Sequence, residues 1–367
     1  MRTGFYWDEK CFWHSGGNYA GLLPVGGLVQ PSVANGLPES PETKRRLKNL
    51  IDVTGLSHDL ILRGAAPAST EDLLRIHPQS YLDRFKAASD AGGGELGRRT
   101  PFGPQGYEIA ALSAGLSIAA LEAVLTGDLD NAYALSRPPG HHCLPDYPNG
   151  FCLFANLALA IESARAKGLA TRFAVLDWDV HHGNGTEAIF YDRADVLTIS
   201  MHQDRNYPMD TGAFADRGTD AGEGFNLNIP LHPGCGHNSY LEALDRLALP
   251  AIRAFQPDVL IIACGYDAGA NDPLGRMLCH QGTFSAMTRL MLDLAADICG
   301  GKLMMAHEGG YSEAYVPFCG HAVLQEMSGS AIHAADPFGD VFPLRQPDAT
   351  FESFVSSQLA DMASALA

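Results

Sequence analysis

Six short apolar runs mark the chain: Ala132–Ser136, Phe173–Trp178, Val196–Met201, Phe225–Pro230, Val259–Cys264 and Leu303–Ala306. Each has strand length and is apolar throughout rather than alternating. Between most of them apolar residues recur at helical spacing, over Phe154–Lys167, Ser239–Phe255 (interrupted by Pro250) and Phe284–Ile298. Upstream, the same spacing predicts a helix over Gly106–Gly127, with Ile109, Leu112, Leu116 and Val124 among its apolar positions. Ser69-x-x-Asp72 opens another that should run through Leu73 and Leu74 toward Pro78. Continuous apolar strands alternating with helices predict an α/β fold with a parallel sheet covered on both faces. Ligands of such sheets bind at the carboxyl ends of the strands.

Nothing cuts the 367 residues into separate units, so a single domain over 1–367 is expected. Ser15–Glu42, with six Gly and four Pro and no periodicity, reads as an extended loop: a lid, a binding loop or a contact between subunits of a homo-oligomer, with a floppy insertion as the bland alternative. The run Glu42 to Lys48 reads as the solvated face of a helix. A formal charge of −17 disfavours nucleic acid as a partner. No uninterrupted apolar run reaches the ~18 residues of a membrane span, and charges stand where a signal peptide would be apolar, so a cytoplasmic chain without a membrane partner is expected. Eight scattered cysteines without a C-x-x-C pair suggest reduced, partly buried thiols rather than a thiolate zinc site.

The polar residues gather where the strands end. Ala132–Ser136 runs into Arg137-Pro-Pro-Gly-His141-His142, and Phe173–Trp178 into Asp177-Trp-Asp179-Val-His181-His182-Gly-Asn184. Val259–Cys264 runs into Gly265-Tyr-Asp267, and Leu303–Ala306 into His307-Glu-Gly-Gly-Tyr311. Residues two apart on extended backbone share a face, so Asp177, Asp179 and His181 can converge on cations. Asp179, His181 and Asp267 would make a three-ligand zinc site with a position left open. Asp177 and Asp179 could instead merely cap the next helix, a reading weakened by the company of Asp267, His141 and His142. The rigid Pro-Pro-Gly turn aims His141 and His142 at the same edge, where an imidazole can act as base, with Asp177 orienting His141 and Asn184 orienting His142. Tyr311, after two glycines, can donate to a developing oxyanion. No G-x-S-x-G is present, which excludes a nucleophile elbow.

Together with Phe12-Trp13-His14, Asn149-Gly150-Phe151-Cys152 and Asp267–Gly275, these motifs resemble the zinc-dependent histone deacetylase family, above all its class II branch and the bacterial histone deacetylase-like amidohydrolases. The resemblance spans nearly the whole chain. It implies the three-layer arginase/deacetylase fold around a parallel sheet of about eight strands, zinc held by Asp179, His181 and Asp267, a proton-handling pair in His141 and His142, and carbonyl polarisation by Tyr311. It also implies a substrate tunnel at Gly150, Phe151, Tyr207, Leu274 and Gly310. Structural potassium would lie at Asp177, Asp179, His181, Ser200 and Met201, and a second ion at Phe190, Arg193, Val196 and Phe225. Asn184 where class I relatives carry Asp favours class II, and Leu274 where polyamine deacetylases can carry a Glu gatekeeper disfavours polyamines. Arg99 occupies about the place of the Asp with which relatives grip a peptide backbone. The implied activity is removal of acyl groups from N-acylated lysine side chains or from small amides, metabolic or xenobiotic. A binuclear manganese ureohydrolase is disfavoured because Gly183 and Gly269 stand at the second-metal positions, and a non-catalytic acyl-amine binder because the acid/base residues are intact.

Overall fold

The computed structural model describes residues 1–30 and 36–366; positions 31–35 of the Ser15–Glu42 loop lie outside the described residues. The strands of the central sheet are, in chain order, β1 (Thr3–Tyr6), β2 (Ile61–Arg63), β3 (Asn131–Ala134), β4 (Phe173–Asp177), β5 (Val196–Gln203), β6 (Asn226–Leu231), β7 (Val259–Cys264) and β8 (Leu303–His307). They form one eight-stranded sheet in the order β6-β5-β4-β7-β8-β3-β1-β2, every pair parallel. The six apolar runs are its six contiguous strands, each within one or two residues of the expected limits. β1 and β2, short and at one end of the sheet, escaped the pattern. Pro230 lies in β6, whose open side pairs with no strand among the described residues, so its missing N–H costs no ladder bond.

The alternation of side chains across each strand divides the interior into two cores. Ala174, Leu176, Leu260 and Ile262 face one layer of helices, while Phe173, Val175, Val259 and Ile261 face the other. That double burial explains why these strands are apolar without interruption. The first layer holds Gln281–Ile298 and Val316–Ser328; the second holds Gly106–Leu125 and Asn156–Ala166, which pack together. Gly106–Leu125 is long and apolar enough to cross a membrane, but most of it is buried inside this fold.

Two helical expectations need correction. The helix opened by Ser69 is a single turn, Thr70–Leu73, closed by the expected capping box, and a separate helix, Gln79–Asp90, starts directly after Pro78. Over Ser239–Phe255 the chain forms His237–Ala243, a π-helical turn at Leu244–Ala248 and then Leu249–Phe255. The wider turn accommodates Pro250, which can neither donate to nor pack against an ordinary α-turn. All eight cysteines are free and buried.

A third correction concerns the basic run at Glu42. It lies on a helix, Glu42–Thr54, but Lys44 is not on a solvated face. Its side chain is 1% exposed, with Nζ 3.6 Å from Glu39, and Glu39 also accepts from Arg137 Nε at 3.0 Å. Arg137 donates further to the carbonyls of Cys11 and His14 at 3.0 and 2.9 Å. One buried carboxylate thus holds two buried cations and ties the end of the Ser15–Glu42 loop to the end of β3. Removing its charge strands both partners, and breaking a buried ion pair costs about 3–5 kcal/mol. Glu39→Gln should therefore lower the urea unfolding midpoint by an equivalent of roughly 3 kcal/mol; an unchanged midpoint would show that Glu39 does not hold the cluster.

Candidate metal and amide-hydrolysis site

Parallel register brings the strand ends together. Asp177 at the end of β4 lies opposite Ala263 of β7 and Ser200 of β5, and Cys264 lies opposite His307 of β8. Just past these pairs the chain turns, and Asp179, His181 and Asp267 meet. His181 Nδ1 is 3.1 Å from Asp179 Oδ1 and 3.0 Å from Asp267 Oδ2. The other oxygen of each carboxylate is fastened by backbone: Gly309 N–H donates to Asp179 Oδ2 at 2.7 Å, and Val180 N–H to Asp267 Oδ1 at 2.8 Å. All three side chains are buried and offer ligand atoms within 4.8 Å of one another. Burial and the Asp179 carboxylate push Asp267 up to about 6, whereas the two carboxylates outweigh burial and hold His181 at about 10. Two carboxylate oxygens and an imidazole nitrogen, buried and crowded with negative charge, fit a divalent cation of the zinc type.

Beside this cluster lie His141 and His142, rings 4.0 Å apart and both buried. Their Nδ1 partners differ in charge: Asp177 Oδ2 for His141 and the amide oxygen Asn184 Oδ1 for His142, each at 2.8 Å. Burial opposes charge on both. The carboxylates of Asp179 and Asp177 overcome it for His141, held at about 10, while burial and the neighbouring imidazoles push His142 well below the usual histidine range. Glu308, pushed up to about 7 by burial, accepts from the backbone N–H of Gly140 and His141 at 2.7 and 3.1 Å, and so fixes the turn that aims the pair.

A cavity of about 290 Å³ leads from these groups to the surface, lined by His142, His181, Tyr311, Gly150, Phe151, Tyr207 and Leu274. The Phe151 and Tyr311 rings lie 5.8 Å apart, edge to face, and Tyr207 packs on His142 and His181 at 5.1 and 6.2 Å. Gly150 adopts a φ of +51°, and a Cβ there would lie 2.3 Å from the His142 ring, so only glycine lets the wall approach the imidazole. Gly310 does not line the cavity; it supports Tyr311 from behind, against Tyr266 and Val316. The Ser15–Glu42 loop contributes a wall: Tyr19 and Leu37 pack with Phe151 and Tyr311, and Leu22 joins them. The loop also forms a small hairpin of Tyr19–Ala20 and Leu23–Pro24, and its stretch from Leu23 to Gln30 is largely exposed.

Of the residues grouped for potassium, Asp177, Asp179, His181, Ser200 and Met201 share the end of β4 and β5. Phe190 ends the helix Asn184–Phe190, Arg193 follows, Val196 opens β5, and the Phe225 carbonyl accepts from Thr198 N–H at 3.0 Å. The pattern of residue types gave no role to Glu308 or to Asp272, whose carboxylate takes the N–H of Tyr311 at 2.7 Å and of Leu274 at 2.8 Å. A glutamate before two glycines was in view, but only the return of the chain to Gly140 makes it an anchor.

A Cβ on Gly309 would lie 2.2 Å from Asp267 Oδ2 and 2.5 Å from Asp179 Oδ2. Gly309→Ala should therefore fold, as circular dichroism can check, while binding metal about 10–100-fold more weakly, the usual effect of disturbing the support of ligands. Equal metal retention after dialysis would show that the carboxylates have room to yield.

Comparison with known proteins agrees with this geometry. The histone deacetylase domain profile matches residues 37–327. The chain is 58% identical over 362 residues to the histone deacetylase-like amidohydrolase of Pseudomonas aeruginosa, covering 99% of this chain and 95% of that one. It is 34% identical over 346 residues to histone deacetylase 8 of Arabidopsis thaliana, covering 92% and 90%. The crystal structure of the HDA15 HD domain superposes with a TM-score of 0.82 at 30% identity, covering 100% of this chain and 99% of that one. With ligand-type carboxylates, paired imidazoles and a phenol gathered at one sheet edge, the chain belongs to the histone deacetylase family, whose members hydrolyse amide bonds.

Proposed function

We propose that this protein is a zinc-dependent hydrolase that removes acyl groups from N-acylated lysine side chains or from small amides of similar shape. The observation that carries the reading is the convergence of Asp179, His181 and Asp267 at the inner end of a narrow aromatic cavity that also exposes His142 and Tyr311. Asp179, His181 and Asp267 would hold zinc, which when bound polarises an acyl carbonyl and acidifies water.

The remaining work falls to the chain's own residues. Phe151 and Tyr207 admit a slim chain and exclude bulk water from the amide. His142 donates a hydrogen bond from Nδ1–H to the neutral Asn184 Oδ1, which leaves Nε2 to take the proton of the attacking water and return it to the leaving amine. His141, paired with the Asp177 carboxylate, keeps its proton and supplies positive charge beside the reacting centre. The Tyr311 hydroxyl, kept protonated by burial and by the carboxylates of Asp267 and Asp179, donates to the oxyanion as it forms. The same reading places a structural potassium beside Asp177 and Ser200, which face each other across β4 and β5.

Chelation should abolish turnover of an acetyl-lysine peptide and of a small neutral amide, and added zinc should restore it. Asp179→Ala should lose both metal and activity. Tyr311→Phe should keep its zinc while kcat falls by about 10²–10³, the cost of removing one oxyanion donor; His142→Ala should likewise keep zinc and lose about 10²–10⁴. Full activity in Asp179→Ala, or turnover indifferent to chelator, would refute the proposal.

A further inference from the structure

Positive charge collects at the mouth of the cavity, in a protein that carries 25 Lys+Arg against 42 Asp+Glu. The guanidinium carbons of Arg98 and Arg99 lie 5.4 and 5.3 Å from the centroid of one ring, Tyr207. Arg99 lines the cavity, and Arg276 lines it from the side of Leu274. Among the described residues none of the three forms an ion pair, although most other arginines here do. The two carboxylates within four residues of these arginines along the chain are engaged elsewhere: Asp272 accepts from the N–H groups of Tyr311 and Leu274, and Glu95 from Tyr19 Oη and Thr100 N–H. Residues 31–35 (Pro-Ser-Val-Ala-Asn) carry no carboxylate that could serve. Like charges held together without a counter-ion repel, so the cluster is a standing attraction for an anion.

Its position sets what that anion is. Tyr207 has the imidazoles of His142 and His181 within 5.1 and 6.2 Å, and two guanidiniums at about the same distance. The arginines thus sit one aromatic ring beyond the reacting groups. Arg99, Arg276 and Tyr311 line the same cavity, so a short extended chain can place its amide at Tyr311 and a carboxylate at Arg99. Building on the amide-hydrolase reading above, we propose that the preferred substrates are small N-acylated ω-amino acids, whose free carboxylate is gripped by Arg99 and Arg276 with Arg98 beside them. Arg99 and Arg276 are then specificity-determining residues, and a polypeptide is the poorer substrate.

Three amides of equal length test this: N-acetyl-6-aminohexanoate, N-acetylhexylamine and N-acetyl-1,6-diaminohexane, hydrolysed by the zinc-loaded protein at low salt. The anionic amide should exceed the neutral one in kcat/KM by about tenfold, the worth of one charge-assisted hydrogen bond, with the cationic amide last. Arg99→Glu and Arg276→Glu should each shrink or invert that order, mainly through KM. In the unaltered protein 0.5 M salt should narrow it, a readout that does not depend on the variants folding. Equal rates on the three amides, or preference for the cationic one, would overturn the proposal while leaving amide hydrolysis intact, as would faster turnover of an acetyl-lysine peptide flanked by glutamates. No turnover of any of them, peptide included, would remove the hydrolase reading as well.

Discussion

Three carboxylates, Asp177, Asp179 and Asp267, are at most 2% exposed at the end of an apolar sheet, and much of this molecule follows from making that tolerable. An isolated buried carboxylate would take up a proton rather than stay charged. Here each is met by something that favours its charge: His141 at Asp177, backbone N–H groups at Asp179 and Asp267, and His181 between the latter two. The site is thus shaped for a cation before any arrives. The same need explains a glycine at position 309, where the backbone must come close enough for its N–H to reach Asp179.

That arrangement is only possible at the carboxyl edge of a parallel sheet. There the strands deliver their next residues to one line, while helices on both faces exclude water. Two cores, one on each side of the sheet, hold the strand ends in register. The loop before the first long helix, tied down through Glu39 to Arg137 and Lys44, packs Tyr19 and Leu37 against Phe151 and Tyr311. A buried ion cluster is weak as a source of stability, but here it positions a segment with little regular structure.

Within the site, charge is divided by small differences in partner. His141 and His142 share a turn and nearly touch, yet a carboxylate behind one and an amide behind the other separate their proton affinities. Further out, the mouth reverses the sign of the molecule as a whole: an acidic protein carries arginines there that form no ion pair among the described residues, and the local field differs from that of the whole.

Much of this was legible in the residues themselves. Apolar runs of strand length, each closed by His, Asp or Tyr and then Gly or Pro, marked the sheet, its functional edge and the groups on it, because hydrophobic periodicity and turn chemistry are local properties. β1 and β2 were not legible, because Thr3-Gly-Phe-Tyr6 and Ile61-Leu-Arg63 hold only two consecutive residues of strongly apolar or aromatic type each, and neither was the burial of Lys44, since a helix pattern indicates a face but not what will cover it. Glu308 beneath His141, Glu39 between two cations and the meeting of Arg98, Arg99 and Arg276 around the cavity were decided by tertiary structure alone. Each joins groups that lie far apart along the chain, and distance in sequence carries no signal of contact until the sheet has closed it.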